Sequence, residues 1–299
     1  MYIIKDPSVG ISAAELLKLC ANSYRDKDLK ARLLGYMEKI ERHTQENPGR
    51  IPFDIGAFLD EILPEQVSQE DMKKVYEEKL AKKRAKGRGY YDAILDLAPH
   101  RRCPICGVQR AETLDHYLPK SKVPTLALDP GNLIPACERC NKRKGDLLEK
   151  DPHKMPVHTY YDRIPEGKWL HVTLGDHLEA AYYTKCPDTE EWESGIRSRV
   201  GRHLEIYDLE ELYSDEAAVL LANMRNSWTT ELRYLRKYAG AELSNEEMCE
   251  EFKEFVTKRR EECEMGDENS FESAFYRGLE KNMETAYVFF GLKEYAYTE

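Results

Sequence analysis

The chain has 299 residues, a third of them charged, and a formal net charge of −10 at neutral pH. It contains no apolar run of about 18 residues, so no membrane-spanning helix is expected, and its length suits one large core or two or three smaller ones. The opening MYIIKDPSVG meets a charge and a proline after four residues, which is no secretion signal, and a cytoplasmic location is the expectation.

The first hundred residues read as helices. Ser12-Ala-Ala-Glu15 is a capping box ahead of Leu16, Leu17, Leu19 and Cys20. A second helix is predicted from Asp26, with Leu29, Leu33, Tyr36, Met37 and Ile40 at helical spacing, until Asn47-Pro48-Gly49 breaks it. A short apolar helix is predicted from Ile55 to Leu63. Another starts at Ser68-Gln-Glu-Asp71 and runs through Lys82-Lys83-Arg84-Ala-Lys86 to the glycines at 87 and 89. Tyr90, Tyr91, Ile94, Leu95 and Leu97 follow; the tyrosines could contact nucleic acid, but aromatics at helical spacing are more often core.

The negative charge is unevenly spread. From Lys79 to Lys150 there are 16 Lys and Arg against 8 Asp and Glu, while the remainder has 29 against 47. A basic part inside an acidic chain is what a local contact with a phosphate backbone needs, although a run such as 82–88 reads equally well as a solvated helix face.

Residues 103–146 organise the rest. Two Cys-x-x-Cys pairs, Cys103/Cys106 and Cys137/Cys140, are separated by 30 residues. Each pair fits one tight turn, and two such turns complete a four-sulfur cage for a structural zinc ion. Gly107 supplies the backbone freedom that closes the first turn. The remaining cysteines, Cys20, Cys186, Cys249 and Cys263, have no motif spacing and read as buried thiols. Between the pairs, Thr113-Leu114 reads as the end of a short strand with Asp115-His116 at its tip. Asn132-Leu-Ile-Pro-Ala reads as a second strand, and a helix begins at Glu138 with Asn141 in its first turns.

Strand, loop, strand and helix closed by zinc resembles the HNH endonucleases of the ββα-metal class. The residues that carry the resemblance are Asp115-His116, Pro119, Ser121, Asn132 and the run from Cys137 to Gly145, with asparagine at 141 where some members have histidine. The resemblance implies hydrolysis of DNA. His116 is then the general base, Asp115 and Asn141 hold a Mg²⁺ or Mn²⁺ ion through oxygen, and Asn132 steadies the loop and orients the histidine. Lys120 and Lys122 in the loop, with Arg139, Lys142, Arg143 and Lys144 on the helix, are candidate phosphate contacts, of which at most half are expected to touch substrate.

Beyond Lys150 the chain is less regular, with a strand predicted at Trp169–Leu174. His153, His158, His171 and His177 have no ligand spacing and are not assigned to a metal. From 201 onward it is helical and acidic. Helices are predicted from Ser214 to Gly240, from the capping box Ser244-Asn-Glu-Glu247 to Gly266, and from Asn269/Ser270 through Val288.

The expected fold is mainly α with a small α+β module: an N-terminal helical region (1–98), the HNH module with its zinc site (99–200) and an acidic helical bundle (201–299). DNA is the expected partner. By resemblance to stand-alone HNH proteins of bacterial anti-phage systems, an ATPase or other sensor subunit is a second, and homo-oligomerisation is left open. Two rivals stand beside this reading: a zinc module that binds nucleic acid or protein without catalysis, and a nuclease acting on RNA.

Overall fold

The structure is a computed structural model that describes residues 1–4, 10–46, 55, 67–175, 178, 181–185, 192–238 and 244–293. The predicted helix at Ile55–Leu63, the break at 47–49, His177, Cys186 and Gly240 lie wholly or almost wholly outside the described residues. The chain forms two compact units, Met1–Ile164 with Ser194–Tyr207, and Pro165–Glu193 with Asp208–Glu299. None of the three crossings between them falls at residue 98, because the N-terminal helices and the Cys-rich module share one core.

In the first unit, α1 (Ala13–Ala21) starts at the predicted capping box, and α2 (Lys27–Gly35) is capped by Asp26. The single helix expected from Asp26 is interrupted at Tyr36 and continues as α3 (Met37–Glu46). After the capping box at Ser68, α4 (Gln69–Val75) widens into a π-helical turn (Tyr76–Ala81), which stops short of the basic stretch. Residues 82–87 are a loop, and α5 (Arg88–Leu95) follows. Leu16, Leu17, Leu33, Met72, Val75, Leu80 and Ile94 pack in one cluster with Leu114, Leu128 and Leu133 of the Cys-rich module.

That module contains β1 (Thr113–His116) and β2 (Leu133–Ala136), which pair antiparallel with His116 opposite Leu133 and Asp115 opposite Ile134. The helix α6 (Glu138–Lys144) follows directly. This is the expected ββα order, in a mostly helical protein.

The second unit holds the hairpin β3 (Leu170–Leu174) and β4 (Ala181–Lys185). The chain then returns to the first unit as α7 (Ser194–Ile206), whose residues from 201 match the expected helix and whose first half lies in the stretch expected to be irregular. The second unit is completed by α8 (Leu209–Tyr238), α9 (Asn245–Gly266), α10 (Phe271–Lys281) and α11 (Met283–Phe289). Ser214, expected as a cap, lies inside α8, and the predicted last helix breaks at Asn282. Trp228 meets Phe252 edge to face inside this unit, while Glu264 receives Lys168, Arg260 and Arg277. Among the described residues no helix is long and apolar enough to cross a membrane.

Candidate active site

The four cysteines of the two Cys-x-x-Cys turns are buried, free of disulfides, and have all their sulfurs within 4.8 Å of one another. A tetrahedral zinc ion with bonds of about 2.3 Å separates its sulfurs by roughly 3.8 Å, and Cys106 and Cys137 already stand 4.0 Å apart. The cluster fits zinc with a slight contraction. Gly107 closes the first turn at φ +74°, and its N–H donates to the Cys103 carbonyl. Cys137 caps α6, its sulfur accepting from the Cys140 N–H.

Each turn is also tied to α7 and its following residue through a residue between its cysteines. The His203 ring donates from Nε2 to the Ile105 carbonyl at 2.8 Å, and Arg139 donates to the Tyr207 carbonyl at 2.8 Å. One helical turn earlier Arg199, 2 % exposed, donates to the Asp162 carboxylate, the Tyr117 hydroxyl and the Pro156 carbonyl. Thus α7 supports both the cysteine cluster and the residue beside His116.

The strand β1 is held from the other side by the N-terminal helices. The Leu114 N–H donates to the Tyr91 hydroxyl at 3.1 Å, and the Tyr76 hydroxyl donates to the Leu114 carbonyl at 3.3 Å. Tyr76, at the first position of the π-helical turn, also meets the His116 ring edge-on with centroids 4.4 Å apart. π-helical distortions recur at functional sites because they displace side chains from the regular helix path.

An open cleft lies over β1, lined by Tyr76, Glu77, Tyr91, Asp115, His116, Lys120, Asn141 and Asp146 among others. His116 is buried to 6 % exposure and donates from Nε2 to the Ala127 carbonyl at 3.0 Å. That bond fixes the neutral tautomer with a lone pair on Nδ1. Burial, then the charge of Lys120, pushes the imidazole down to about 3, so the ring is uncharged at neutral pH.

Asp115 is buried beside Lys144, with Nζ 3.2 Å from Oδ1. Burial raises its carboxyl to about 6 against the opposing pull of Lys144. Its second oxygen, Oδ2, is buried and has no hydrogen-bond partner among the described residues. An orphaned buried carboxylate oxygen is costly unless something cationic or a donor meets it. The Asn141 amide donates to Thr113 Oγ1 on the same strand at 3.1 Å, and that hydroxyl donates to the Ala136 carbonyl. With its nitrogen held there, Asn141 presents an oxygen with no partner among the described residues. Asp115 and Asn141 both line the cleft, and each carries oxygen, the donor type that hard divalent ions take.

Asn132 does not line the cleft. Fully buried, it accepts from the Leu118 N–H at 2.8 Å and donates to the Leu118 and Leu126 carbonyls at 3.0 and 3.1 Å. It therefore clamps the loop whose next carbonyl, at Ala127, receives the His116 ring.

The six expected phosphate contacts fall into different places. Lys120 lines the cleft; Lys122 and Arg143 are exposed, and Lys142 is exposed beside Glu138 at 2.8 Å. Arg139 is half-buried on the Tyr207 carbonyl. Lys144 is not on the surface at all: its side chain is 1 % exposed, and Nζ donates to the His116 carbonyl at 2.7 Å beside Asp115. The helical periodicity that placed it with Lys142 and Arg143 could not show which face α6 turns to β1. Of the unassigned histidines, His158 is fully buried in ring contact with Tyr117, Tyr160 and Tyr161. Sequence reasoning missed Tyr76, Glu77 and Asp146 in the cleft, and His203 behind the cysteines.

Residues 103–147 match the HNH endonuclease family model. Protein ea31 of Escherichia phage lambda is 27% identical over 175 residues, covering 56% of this chain and 58% of its own length. Septu protein PtuB of Bacillus thuringiensis is 32% identical over 76 residues, covering 24% of this chain and 28% of its own. The chain thus spans less than two thirds of either relative. No solved structure matches it. The segment Cys103–Leu147 is an HNH endonuclease domain set in a longer chain.

Proposed function

We propose that the protein is a metal-dependent endonuclease that hydrolyses DNA phosphodiester bonds. The observation that carries the reading is the meeting of Asp115, His116 and Asn141 at one cleft, with a carboxylate oxygen of Asp115 left without a partner. His116 takes the proton of the attacking water on Nδ1, while its Nε2–H stays on the Ala127 carbonyl. An imidazole pushed so low is a weak base in the free protein. A phosphodiester entering the cleft brings the negative charge that raises it.

Asp115 and Asn141 would hold a Mg²⁺ or Mn²⁺ ion, which supplies charge relief on the phosphoryl oxygens and the leaving oxygen. Lys120 faces the same cleft and can meet a nonbridging oxygen, while Lys122, Lys142 and Arg143 are left for flanking phosphates. Asn132 acts through the loop rather than on substrate. The cysteine cluster holds the structural zinc. Cleavage leaves a 5′-phosphate and a 3′-hydroxyl, as the family resemblance implies.

Plasmid cleavage with Mg²⁺ or Mn²⁺ tests the reading. Wild type should nick or linearise DNA, and His116→Ala and Asp115→Asn should lower the rate by at least about a hundredfold while zinc content stays unchanged. The Lys144–Asp115 ion pair favours one rival, since a non-catalytic zinc module has use for a neutralised carboxylate. Full zinc content with no cleavage of DNA or RNA by wild type would select that rival, and cleavage of RNA alone would change the substrate.

A cytoplasmic role in anti-phage defence, alongside an ATPase or other sensor subunit, belongs to the same proposal. The likeness to PtuB supports it, whereas ea31 comes from a phage. Phage plaque counts on cells expressing wild type or His116→Ala test that role separately.

A further inference from the structure

The loop between the π-helical turn and α5 presents Lys82, Lys83, Arg84 and Lys86, all exposed. None of the four has an ion pair or a side-chain hydrogen bond among the described residues. Nearby, Arg88 pairs with Asp92, Lys120 with Glu77 and Lys142 with Glu138, whereas the four on the loop leave their charge to solvent in a chain with 55 acidic residues against 45 basic ones.

The loop is also firmly built. The Gly87 N–H donates to the Lys79 carbonyl at 2.9 Å, and the Ala85 N–H donates to the Lys82 carbonyl at 2.9 Å. A side chain at 87 would stand 2.9 Å from the Lys79 carbonyl oxygen and 3.0 Å from Leu80, so the two ends of the loop meet closely enough to require glycine. Arg88 donates to the Ala81 carbonyl, pairs with Asp92 and lies over the Tyr91 ring at 4.3 Å. Tyr91 in turn lines the cleft and holds Leu114. Both arms therefore reach the candidate active site, one through Tyr76 and Glu77 and the other through Tyr91. Arg88 and Tyr91 are three residues apart, about 5 Å along a helix, and one strand of DNA advances roughly 3.4 Å per nucleotide. The base of the loop at Arg88 thus stands about one to two nucleotide rises from Tyr91 in the cleft wall.

We propose that the loop 82–86 is a nucleic-acid anchor that grips the phosphate backbone of duplex DNA beside the cleaved bond. It rests on the nuclease reading for its substrate and adds a binding surface outside the HNH domain. Such an anchor adds affinity without reading sequence, because phosphate contacts position a duplex and base contacts specify it.

The test uses the full chain carrying His116→Ala and a fluorescein-labelled 25-base-pair duplex, with anisotropy read across a salt series. The variant Lys82→Gln/Lys83→Gln/Arg84→Gln/Lys86→Gln should bind at least about tenfold more weakly, with a log–log salt slope shallower by roughly 2 to 4. A control that removes Arg233, Lys253 and Lys281, exposed cations of the second unit, should bind like the parent. Circular dichroism should show both variants folded, and Lys83→Gln alone should lower the slope by about 1. Unchanged affinity and slope in the fourfold variant, or an equal loss in the control, overturns the anchor. Hydrolysis of bis(p-nitrophenyl) phosphate keeps the two readings apart. With His116 intact, the fourfold variant should cleave this small diester at the wild-type rate, whereas failure by wild type itself tells against the nuclease and leaves the anisotropy result standing.

Discussion

Replacing Asn132 with alanine deletes three buried hydrogen bonds, two to the backbone of Leu118 and one to the Leu126 carbonyl. The Leu126 carbonyl keeps a second donor in the Asp129 N–H, so the groups stranded outright are the N–H and C=O of Leu118. A buried polar group left without a partner costs about 1–3 kcal/mol, which puts the loss near 4 kcal/mol for the pair. Against a typical total of about 5–15 kcal/mol this is severe but survivable at low temperature. Urea denaturation followed by circular dichroism measures it, with the slope shared between variant and wild type. At 4 °C the folded fraction should bind zinc fully and cleave DNA slowly, because freeing the Leu126 end of the loop lets the Ala127 carbonyl drift from the His116 ring. A stability loss under about 1 kcal/mol with cleavage abolished would refute the reasoning, since Asn132 would then act on substrate directly. Full cleavage by a strongly destabilised variant would refute the link to His116.

Stability should fall in acid. His116, His158 and His203 are held neutral by burial, pushed down to about 3, well below the usual range, and to about 4. The unfolded chain takes up protons at these rings below about pH 6.5 while the folded chain does not, at about 2 kcal/mol per ring between pH 7 and pH 5. Asp115 works the other way: raised to about 6 by burial, it binds a proton in the folded state first and returns about 1 kcal/mol over that window. The net loss of roughly 4–5 kcal/mol should appear as a falling urea midpoint, and a midpoint that rises toward pH 5 would contradict it. Lys144→Met should cost about 3–5 kcal/mol by leaving the Asp115 carboxylate uncompensated. Adding Asp115→Leu should recover at least half of that by the same measurement. Stripping zinc with a chelator should unfold the module and expose four further thiols to a thiol-specific dye, and unchanged melting with four free thiols would deny the cluster a structural role.

The ββα core was readable because its determinants are local: two Cys-x-x-Cys turns, a capped α6, and an Asp-His pair between strand-forming residues. The caps at Ser12, Ser68 and Ser244 were readable for the same reason. The first half of α7, before residue 201, was not, because the face it buries is polar. Arg199 and His203 are buried alongside Val200, and hydrophobic periodicity cannot register an arginine that satisfies a carboxylate, a hydroxyl and a carbonyl. Tyr76 escaped for a different reason: its place at the cleft depends on a local widening of the helix that no residue pattern in 69–81 announces. The charge of Lys144 was legible, but its partner was not, since Asp115 lies 29 positions away in sequence.

The path of the backbone has a practical corollary for anyone trimming this protein. The polypeptide departs after Ile164, forms a hairpin elsewhere, and comes back with the segment that grips both sulfur-bearing turns. A fragment ending at residue 164 would carry every matched motif and still lack that grip, so a minimal active piece has to be spliced from two stretches of sequence joined by a short linker.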